Sequence, residues 1–316
     1  MRLHEEPEVF AELVAAAAEH IGLPEVYVEK DYWVTRALKH LSESDFRDIA
    51  VFKGGTSLSK AWRLIDRFSE DIDLAVFASD KGDSARKKLL KSVETIVAQD
   101  LTALAEDERI SKGSKFRKTV YEYPRNAGGE EFGQASPELL IEVNSFTNPE
   151  PFETQKLQTF IAEMLTDRDE NELIETYELQ GFNVQVLSIE RTLIEKILGV
   201  IKDSYHDDPV SQLSRRMRHL YDICQILKHK EYRDFIAGNE FAILCEKCIA
   251  DERSVFPNTA ELFDLPLAEA PLFLRFAEWR PSLAGTYSGV FADLVYRDLP
   301  PIQDIEDALM FIKEHL

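Results

Sequence analysis

The chain has 316 residues, enough for two domains or for one domain with a large extension. Hydrophobic residues make up 44% and charged residues 30%, which is typical of a globular protein that buries a core without disulfide bonds. The formal net charge of −21 disfavours loose binding to nucleic acid, although a local basic surface is compatible with it.

The N-terminal segment carries acids where a signal peptide needs positive charge, and no apolar run approaches the ~18 residues of a membrane span. We therefore expect a reducing, cytoplasmic location and no membrane partner. The three cysteines are an odd number, which is poor material for a disulfide framework. Cys245 and Cys248 form a single CxxC motif, for which partly buried, helix-spaced thiols beside Cys224 are expected rather than a zinc site.

The first half of the chain mixes helical and strand patterns. Read in order, the spacing of apolar residues predicts helices over 7–20, 25–42 and 83–106, strands over 49–52, 71–77 and 138–146, and a loop or hairpin over 107–135. A helix is expected within "PEPFETQKLQTFIAEML", and one or two strands within "TYELQGFNVQVLS".

After Ser188 the pattern becomes almost entirely helical, with Ser188 itself as the expected cap of the first helix. We place a domain boundary here. The prediction is an α/β (α+β) catalytic domain with N-terminal helices over 1–188, followed by a helical domain over 189–316.

Two aspartates interrupt the apolar strand "DIDLAVF". Asp71 and Asp73 are two residues apart, so both side chains leave the same face of the strand, where they repel each other unless a cation lies between them. Hard oxygen ligands of this kind favour Mg²⁺. Glu142 interrupts the strand "LLIEV" in the same way. If the two strands are neighbours, the three carboxylates predict a site for one or two metal ions, suited to phosphoryl or nucleotidyl transfer.

The segment "KGGTS" connects a predicted strand to a predicted helix. Gly54 and Gly55 let the backbone approach a ligand closely, and backbone N–H groups at the start of a helix bind anions. Thr56 or Ser57 is expected to cap the helix or add a hydroxyl, and Lys53 to reach a phosphate. Together with the aspartates, this turn predicts a nucleoside triphosphate site.

Charged side chains also stand in apolar helices of the second half. Lys196 lies in "LIEKILGVI" and Asp222 in "HLYDICQIL", so each either meets a partner or reaches water. A Lys196–Asp222 pair acting only as a structural link is an open alternative. Arg67 is expected to pair with Glu70 or to face the substrate.

Smaller roles are expected for four further residues. Lys30 and Asp31 are adjacent in a helix and leave it in different directions, which suggests that they pack the helix onto the catalytic domain. His206 and His219 are isolated histidines near acids, for which surface or capping roles are expected.

Three basic clusters stand out in this acidic chain, at 85–91, 112–118 and 215–219. Solvated helix faces and contacts to a phosphate backbone are both open interpretations.

The segment "GGTSLSKAWRLIDRFSEDIDL" resembles the glycine–serine-to-DxD motif of polymerase-β-like nucleotidyltransferases, and more narrowly the AbiEii/AbiGii toxin family. Support comes from "VEKDYWVTRAL" (28–38), "RFSEDIDL" (67–74) and "IEKILGV…RRMRHLYDI" (194–223), which keep the family's order. The family often has Ser where this chain has Thr56, which preserves the hydroxyl.

The resemblance implies a polymerase-β-like nucleotidyltransferase core with a mixed sheet, followed by a helical domain. It also implies a role for individual residues: a phosphate turn at Gly55, Thr56 and Ser57, metal ligands at Asp71 and Asp73, a phosphate contact at Lys196, and a requirement in transfer for Asp222. Lys53, Gly54 and Glu142 are added by the reasoning above.

The function implied is that of a Mg²⁺-dependent toxin, paired with an antitoxin, that transfers NMP from an NTP to an acceptor hydroxyl. The 3′ end of tRNA is the implied acceptor. Two alternatives stay open: transfer to a protein or small molecule, and a non-catalytic module that binds a nucleotide or an antitoxin.

Overall fold

A computed structural model describes residues 2–126, 136–146, 148–257 and 261–316. The chain divides into two compact units. The first comprises Met1–Trp62 and Phe68–Leu187, and the second Arg63–Arg67 and Ser188–Leu316. The sequence did not predict that Arg63–Arg67 would belong with the helical part of the chain. The functional domains 1–188 and 189–316 stay a prediction.

The first unit is built on one mixed sheet. Its strands are β1 (Ala50–Lys53), β2 (Ile72–Val76), β3 (Thr102–Ala103), β4 (Ser111–Lys112), β5 (Phe116–Glu122), β6 (Leu139–Asn144), β7 (Phe152–Leu157) and β8 (Phe182–Leu187). The strand order is β3-β5-β6-β2-β1-β8-β7, and β4 pairs with β5. β1 pairs in parallel with β8 and β2 with β6, while the other pairs are antiparallel. The predicted mixed α/β class with a mixed sheet is confirmed.

Six helices accompany this sheet: α1 (Pro7–Ile21), α2 (Glu25–Ser42), α3 (Gly54–Lys60), α4 (Asp83–Val97), α5 (Phe160–Asp167) and α6 (Asn171–Thr176). Helix α2 packs against α1, α4 and α5 and is buried along most of its length. Because apolar residues surround it, its polar side chains need partners within the protein.

Two ion pairs supply partners for the charged residues Lys30 and Asp31. Lys30 is 0% exposed, and its Nζ donates to Glu70 Oε2 at 2.6 Å. Asp31 pairs with Lys60 of α3 and accepts a hydrogen bond from the backbone N–H of Phe160 at 2.9 Å. These contacts support the expectation that the two residues fix α2 to the rest of the unit.

Helix α4 lies against one face of the sheet. Its Glu94 pairs with Arg117 and accepts a hydrogen bond from Tyr121 Oη at 2.8 Å. Arg117 and Tyr121 lie on the same face of β5. Lys118 is next to Arg117 in the strand, so its side chain lies on the opposite face. The basic cluster 85–91 of α4 therefore lies across the sheet from Lys118.

The second unit is helical. Its helices are α7 (Ile189–Asp203), α8 (Pro209–Arg215), α9 (Met217–Ile226), α10 (Lys230–Ile236), α11 (Asn239–Val255), α12 (Pro271–Ser288) and α13 (Ile302–Lys313). Ser188 caps α7, as predicted, by accepting from the backbone N–H of Arg191 at 3.2 Å. The segment 63–67 joins this unit through a hydrogen bond from the N–H of Tyr296 to the carbonyl of Asp66 at 3.0 Å.

Several predicted elements differ from the structure. The helix expected over 83–106 ends at Val97, and the region expected as a loop or hairpin contains the seven-residue strand β5. Part of that region, 127–135, lies outside the described residues. Strand β7 was not predicted. Within the part of the chain that the structure describes, no helix is both long and apolar enough to cross a membrane.

The three cysteines are free thiols and all are buried, whereas partial burial was expected for Cys245 and Cys248. Burial raises the pKa of the Cys248 thiol to about 12, so it stays protonated at neutral pH.

Candidate active site

The glycine turn lies directly beside the second aspartate of the DxD motif. Strand β1 ends at Lys53, and Gly54 follows with φ +82°, a conformation that side chains other than glycine rarely adopt. A Cβ placed on Gly54 would overlap Oδ2 of Asp73 and lie 3.1 Å from its Cγ. Glycine is therefore required here for two reasons, the backbone conformation and the approach of the Asp73 carboxylate.

Strand register arranges four charged residues in one row across the sheet. Lys53 of β1 is opposite Asp73 of β2, Asp73 is opposite Glu142 of β6, and Glu142 is opposite Lys118 of β5. Directly opposed residues share a face, so the row reads Lys–Asp–Glu–Lys on a single surface. Asp71 precedes β2 and follows the same alternation. Strands β2 and β6, which carry these acids, are neighbours, as expected.

The acids of this row are balanced by lysine in the structure. Lys118 Nζ lies 2.7 Å from Glu142 Oε1, and both side chains are about a third exposed or less, at 30% and 27%. Among the described residues, no group of three or more His, Cys, Asp or Glu side chains is gathered closely enough to hold a metal ion. The oxygen donors of Asp71 and Asp73 suit Mg²⁺, whereas Glu142 would first have to leave Lys118.

Two hydroxyls predicted for the phosphate turn are used within the protein. The Ser57 hydroxyl donates to the carbonyl of Gly54 at 2.8 Å, and the Thr56 hydroxyl lies 3.0 Å from that of Ser69. Both residues are buried. Helix α3 begins at Gly54, so neither is its N-cap, and that part of the prediction is wrong. These hydroxyl contacts lie within the turn and between the turn and Ser69.

The residue before Asp71 is fixed from two sides. Glu70 accepts from Lys30 Nζ and, at 2.9 Å, from the backbone N–H of Ser136. Burial raises the pKa of Glu70 and lowers the pKa of Lys30, and each partner opposes the shift of the other. Glu70 pairs with Lys30, and the guanidinium of Arg67 donates two hydrogen bonds to Asp222.

The second unit contains a buried triad of charges. Asp222 of α9 accepts two hydrogen bonds from Arg67, from Nε at 2.7 Å and from Nη2 at 2.8 Å. Lys196 of α7 lies 2.8 Å from Asp222 Oδ2. The side chains of Arg67, Asp222 and Lys196 are 2%, 0% and 7% exposed. The predicted pairing of Lys196 with Asp222 is present, and Arg67 is an additional member that sequence reasoning did not assign.

Two cations govern the pKa of Asp222 in this triad. Burial by itself would raise the pKa of Asp222, but Arg67 and Lys196 outweigh that effect and hold the pKa at about 2. Arg67 and Lys196 therefore both stabilise the ionised Asp222 carboxylate. Lys196 is the member of the triad with the greatest exposure.

A family model for the nucleotidyl transferase AbiEii toxin of a type IV toxin–antitoxin system matches residues 36–309. The chain belongs to the AbiEii family. As an AbiEii-family member it is a nucleotidyltransferase toxin, which agrees with the enzyme class predicted from the motifs. The comparison with curated proteins gives no match.

One similar solved structure is MenT4, a nucleotidyltransferase toxin from Mycobacterium tuberculosis H37Rv. It aligns with 95% of this chain and 98% of its own, at 16% identity and a TM-score of 0.48. A likeness of this degree carries no argument about the chemistry of the site.

The structure places the predicted site residues of this AbiEii-family protein in two groups. The first unit contains the carboxylate row and the glycine turn, and the second contains Lys196 and Asp222. Sequence reasoning did not predict that Lys118 would pair with Glu142 or that Arg67 would pair with Asp222. Arg67 had a signal, since it lies in the quoted "RFSEDIDL" segment, but its partner is 155 positions away in the chain.

Proposed function

We propose that this protein is a Mg²⁺-dependent nucleotidyltransferase that transfers NMP from an NTP to the 3′-terminal hydroxyl of tRNA. In this reaction the acceptor oxygen forms a bond to the α-phosphorus, the bond from that phosphorus to the pyrophosphate oxygen breaks, and the acceptor hydroxyl loses its proton. The products are the extended acceptor and pyrophosphate.

The first unit is proposed to bind the triphosphate and the metal. The backbone N–H groups that follow Gly54 would bind a phosphate oxygen, because Gly54 itself contributes no side chain. Asp71 and Asp73 would hold one or two Mg²⁺ ions, with Glu142 as a third ligand. Bound Mg²⁺ supplies activation of the acceptor hydroxyl and neutralises charge on the phosphates.

The second unit is proposed to supply positive charge for the leaving group. Lys196 would contact the pyrophosphate, whose negative charge grows as the bond breaks. Asp222 fixes the Lys196 ammonium by a 2.8 Å contact, and Arg67 fixes Asp222 by two hydrogen bonds. In this arrangement Asp222 and Arg67 are positioning residues, and Lys196 is the group that touches substrate.

The observation that carries the proposal is the register that places Gly54, Asp73 and Glu142 side by side. A glycine turn and two carboxylates on one sheet face match the requirements of a triphosphate–metal site. Family membership supports a partner antitoxin. The cytoplasm is the proposed location, because both NTP and tRNA are available there. Transfer to a protein or to a small molecule is the second candidate.

A labelling experiment identifies the acceptor class. Purified protein is incubated with Mg²⁺ and each α-³²P-labelled NTP in turn, together with total RNA or with total protein. The expected result is label in the tRNA fraction, with at least one NTP, that is lost when EDTA is added. Label in the protein fraction alone would replace tRNA by a protein acceptor.

The same assay tests the role of the DxD motif. Asp73→Asn keeps the size of the side chain but halves its oxygen donors and removes its charge, so label transfer is expected to fall by at least about 100-fold. The control is Asp48→Asn, an exposed aspartate of the same unit, which should leave transfer unchanged. Full activity of Asp73→Asn would contradict the proposed site.

A further inference from the structure

Two aromatic rings lie at one end of the carboxylate row. Phe116 of β5 and Phe146, which follows β6, stack with ring centroids 5.6 Å apart and an interplanar angle of 14°. Both residues are only half-buried. Their backbones are tied together, because the N–H of Ser145 donates to the carbonyl of Lys115 at 2.9 Å. The ring pair is therefore held on two paired segments rather than on a single loop.

The ring of Phe116 shares the sheet face of the carboxylates. Phe116 and Lys118 are two residues apart in β5, and Lys118 is opposite Glu142 and bonded to it. At the rise of a strand, Phe116 lies about 7 Å further along the same face. One nucleotide can span that distance. A base stacked on Phe116 can therefore belong to the nucleotide next to the one at the carboxylates.

The chain around Phe116 is basic. The segment "SKGSKFRK", which we call the basic hairpin (111–118), contains four basic residues and no acid, in a chain of net charge −21. Arg117 is turned to the other face and pairs with Glu94. Lys112 and Lys115 are exposed. A flat apolar ring flanked by exposed lysines is suited to a ligand that combines planar bases with phosphates.

We infer that Phe116 and Phe146 form a stacking platform for a base near the 3′ end of the acceptor strand, while the basic hairpin contacts the adjacent phosphates. This inference rests on the proposed function and specifies how the acceptor is held. Single-stranded nucleic acid is recognised in this way in general, by aromatic rings that stack on bases and by cations along the backbone.

The combination of lysines and aromatic rings favours single-stranded nucleic acid over an acidic protein segment as the ligand of this surface. An acidic protein segment would use the lysines but would make no use of the flat Phe116 ring. Of the three basic clusters in the sequence, the hairpin is the one shown to share a face with Glu142, because cluster 85–91 lies across the sheet. The cluster at 215–219 belongs to the second unit.

The test measures binding of a 5′-labelled six-nucleotide single-stranded RNA with a free 3′ hydroxyl, in Mg²⁺ and without NTP. A second probe has the same backbone with abasic sites at its last two positions. Phe116→Ala is expected to weaken binding of the first probe by about 5- to 100-fold. The slope of log affinity against log salt should stay unchanged, because no phosphate contact is removed. Lys115→Ala should reduce that slope.

The abasic probe separates stacking from loss of fold. The wild-type protein should bind it more weakly than the full RNA, whereas Phe116→Ala should bind both alike. Phe116→Tyr, which keeps a ring, should retain the wild-type preference. The matched control is Phe152→Ala, which removes a half-buried ring paired with Phe77 near the opposite edge of the sheet and should preserve RNA binding.

Each other outcome has a definite meaning. If Phe116→Ala binds the RNA as the wild type does, the platform does not exist, even when tRNA labelling succeeds. If Phe116→Ala weakens NTP affinity but not RNA affinity, the base stacked there belongs to the NTP and the inference is wrong. If no NTP labels any RNA, the proposed function fails separately, while RNA binding that depends on Phe116 would still support the platform.

Discussion

At the scale of single residues, Arg67 is the finding with the clearest consequence. It makes two hydrogen bonds to Asp222, which is fully buried and is also the partner of Lys196. A buried carboxylate that loses one of its cations becomes costly, because its desolvation is no longer offset. Lys196 would then also lose the fixed carboxylate that orients its ammonium group. Stability and activity should therefore both respond to a change at Arg67.

Arg67→Ala is expected to lower the free energy of unfolding by about 3 kcal/mol or more, measured by urea denaturation, and to lower kcat for transfer. Arg67→Lys keeps the charge but not the paired donors, so it should recover part of the stability and little of kcat. The control is Arg63→Ala, an exposed arginine of the same segment. Wild-type stability of Arg67→Ala would show that the triad does not depend on Arg67.

A double variant separates folding from positioning. Asp222→Asn removes the buried charge, so Arg67→Ala combined with Asp222→Asn should be more stable than Arg67→Ala alone. It should nevertheless remain inactive, because no carboxylate is left to orient Lys196. Recovery of activity together with stability would indicate that the triad acts only through folding.

Single residues of the site were predictable where local pattern determines them. The acids in apolar strands identified Asp71, Asp73 and Glu142 as exceptions that need a partner. The partner that Glu142 has in the structure, Lys118, was not predictable, since its strand reads as a polar loop in the sequence. The sequence pattern thus predicted that Glu142 needs a partner, but only the strand register of the structure shows that this partner is Lys118.

At the scale of elements, the connection from β1 to α3 depends on one glycine. Gly54 combines a positive φ with a position against the Asp73 carboxylate. An alanine there would strain the backbone by about 1–2 kcal/mol and push the carboxylate away. A displacement of about 1 Å at a reacting centre lowers a rate by roughly 100-fold. The turn and the aspartate should therefore behave as one functional unit.

Gly54→Ala is expected to reduce transfer by about 100-fold or more while lowering unfolding free energy by only about 1–3 kcal/mol. Transfer rates and urea unfolding are compared on the same samples. The control is Gly285→Ala, a glycine inside α12 at which an added Cβ would meet no atom within 4 Å, and which should be neutral or slightly stabilising. Normal transfer by Gly54→Ala would show that the close approach of the Asp73 carboxylate to residue 54 is not required.

Elements were predicted best where apolar spacing is strong. The helix over 25–42 matches α2, and the strand pattern of "DIDLAVF" matches β2 closely. The strand β5 was missed because "FRKTVYE" carries charges on both faces, one bonded to α4 and the other to β6. Strand β7 at the sheet edge has mostly exposed or half-exposed positions, so it lacks the apolar alternation that predicts a strand.

At the scale of the whole molecule, the order of the chain does not follow the division into units. The segment 63–67 lies between the glycine turn and the DxD strand in sequence, yet it is packed with helices that begin more than a hundred residues later. Local patterns cannot show such an exchange, because it is defined by contacts between distant parts of the chain. This is why the helical character of residues beyond 188 was predictable and the membership of Arg67 was not.

The two units should also differ in their response to acid. A surface or capping role was expected for His219 of α9. Its Nδ1 is buried and has no hydrogen-bond partner among the described residues, although the ring keeps some exposure. Burial lowers its pKa well below the usual value. Lys196, Arg216 and Arg67 lower it further, and Asp222 opposes them only in part. The folded second unit therefore keeps His219 neutral at a pH where the unfolded chain binds a proton.

Since the unfolded chain takes up this proton below about pH 6.5 and the folded unit does not, stability should fall as the pH falls from 7 to 5. The slope for one such histidine is about 1.4 kcal/mol per pH unit. Hydrogen exchange in peptides of α7 and α9, compared with peptides of the sheet, measures it. His219→Leu should flatten the slope in α7 and α9, whereas the exposed His315→Leu should retain it. An unchanged slope in His219→Leu would mean that other groups govern the acid response of the helical unit.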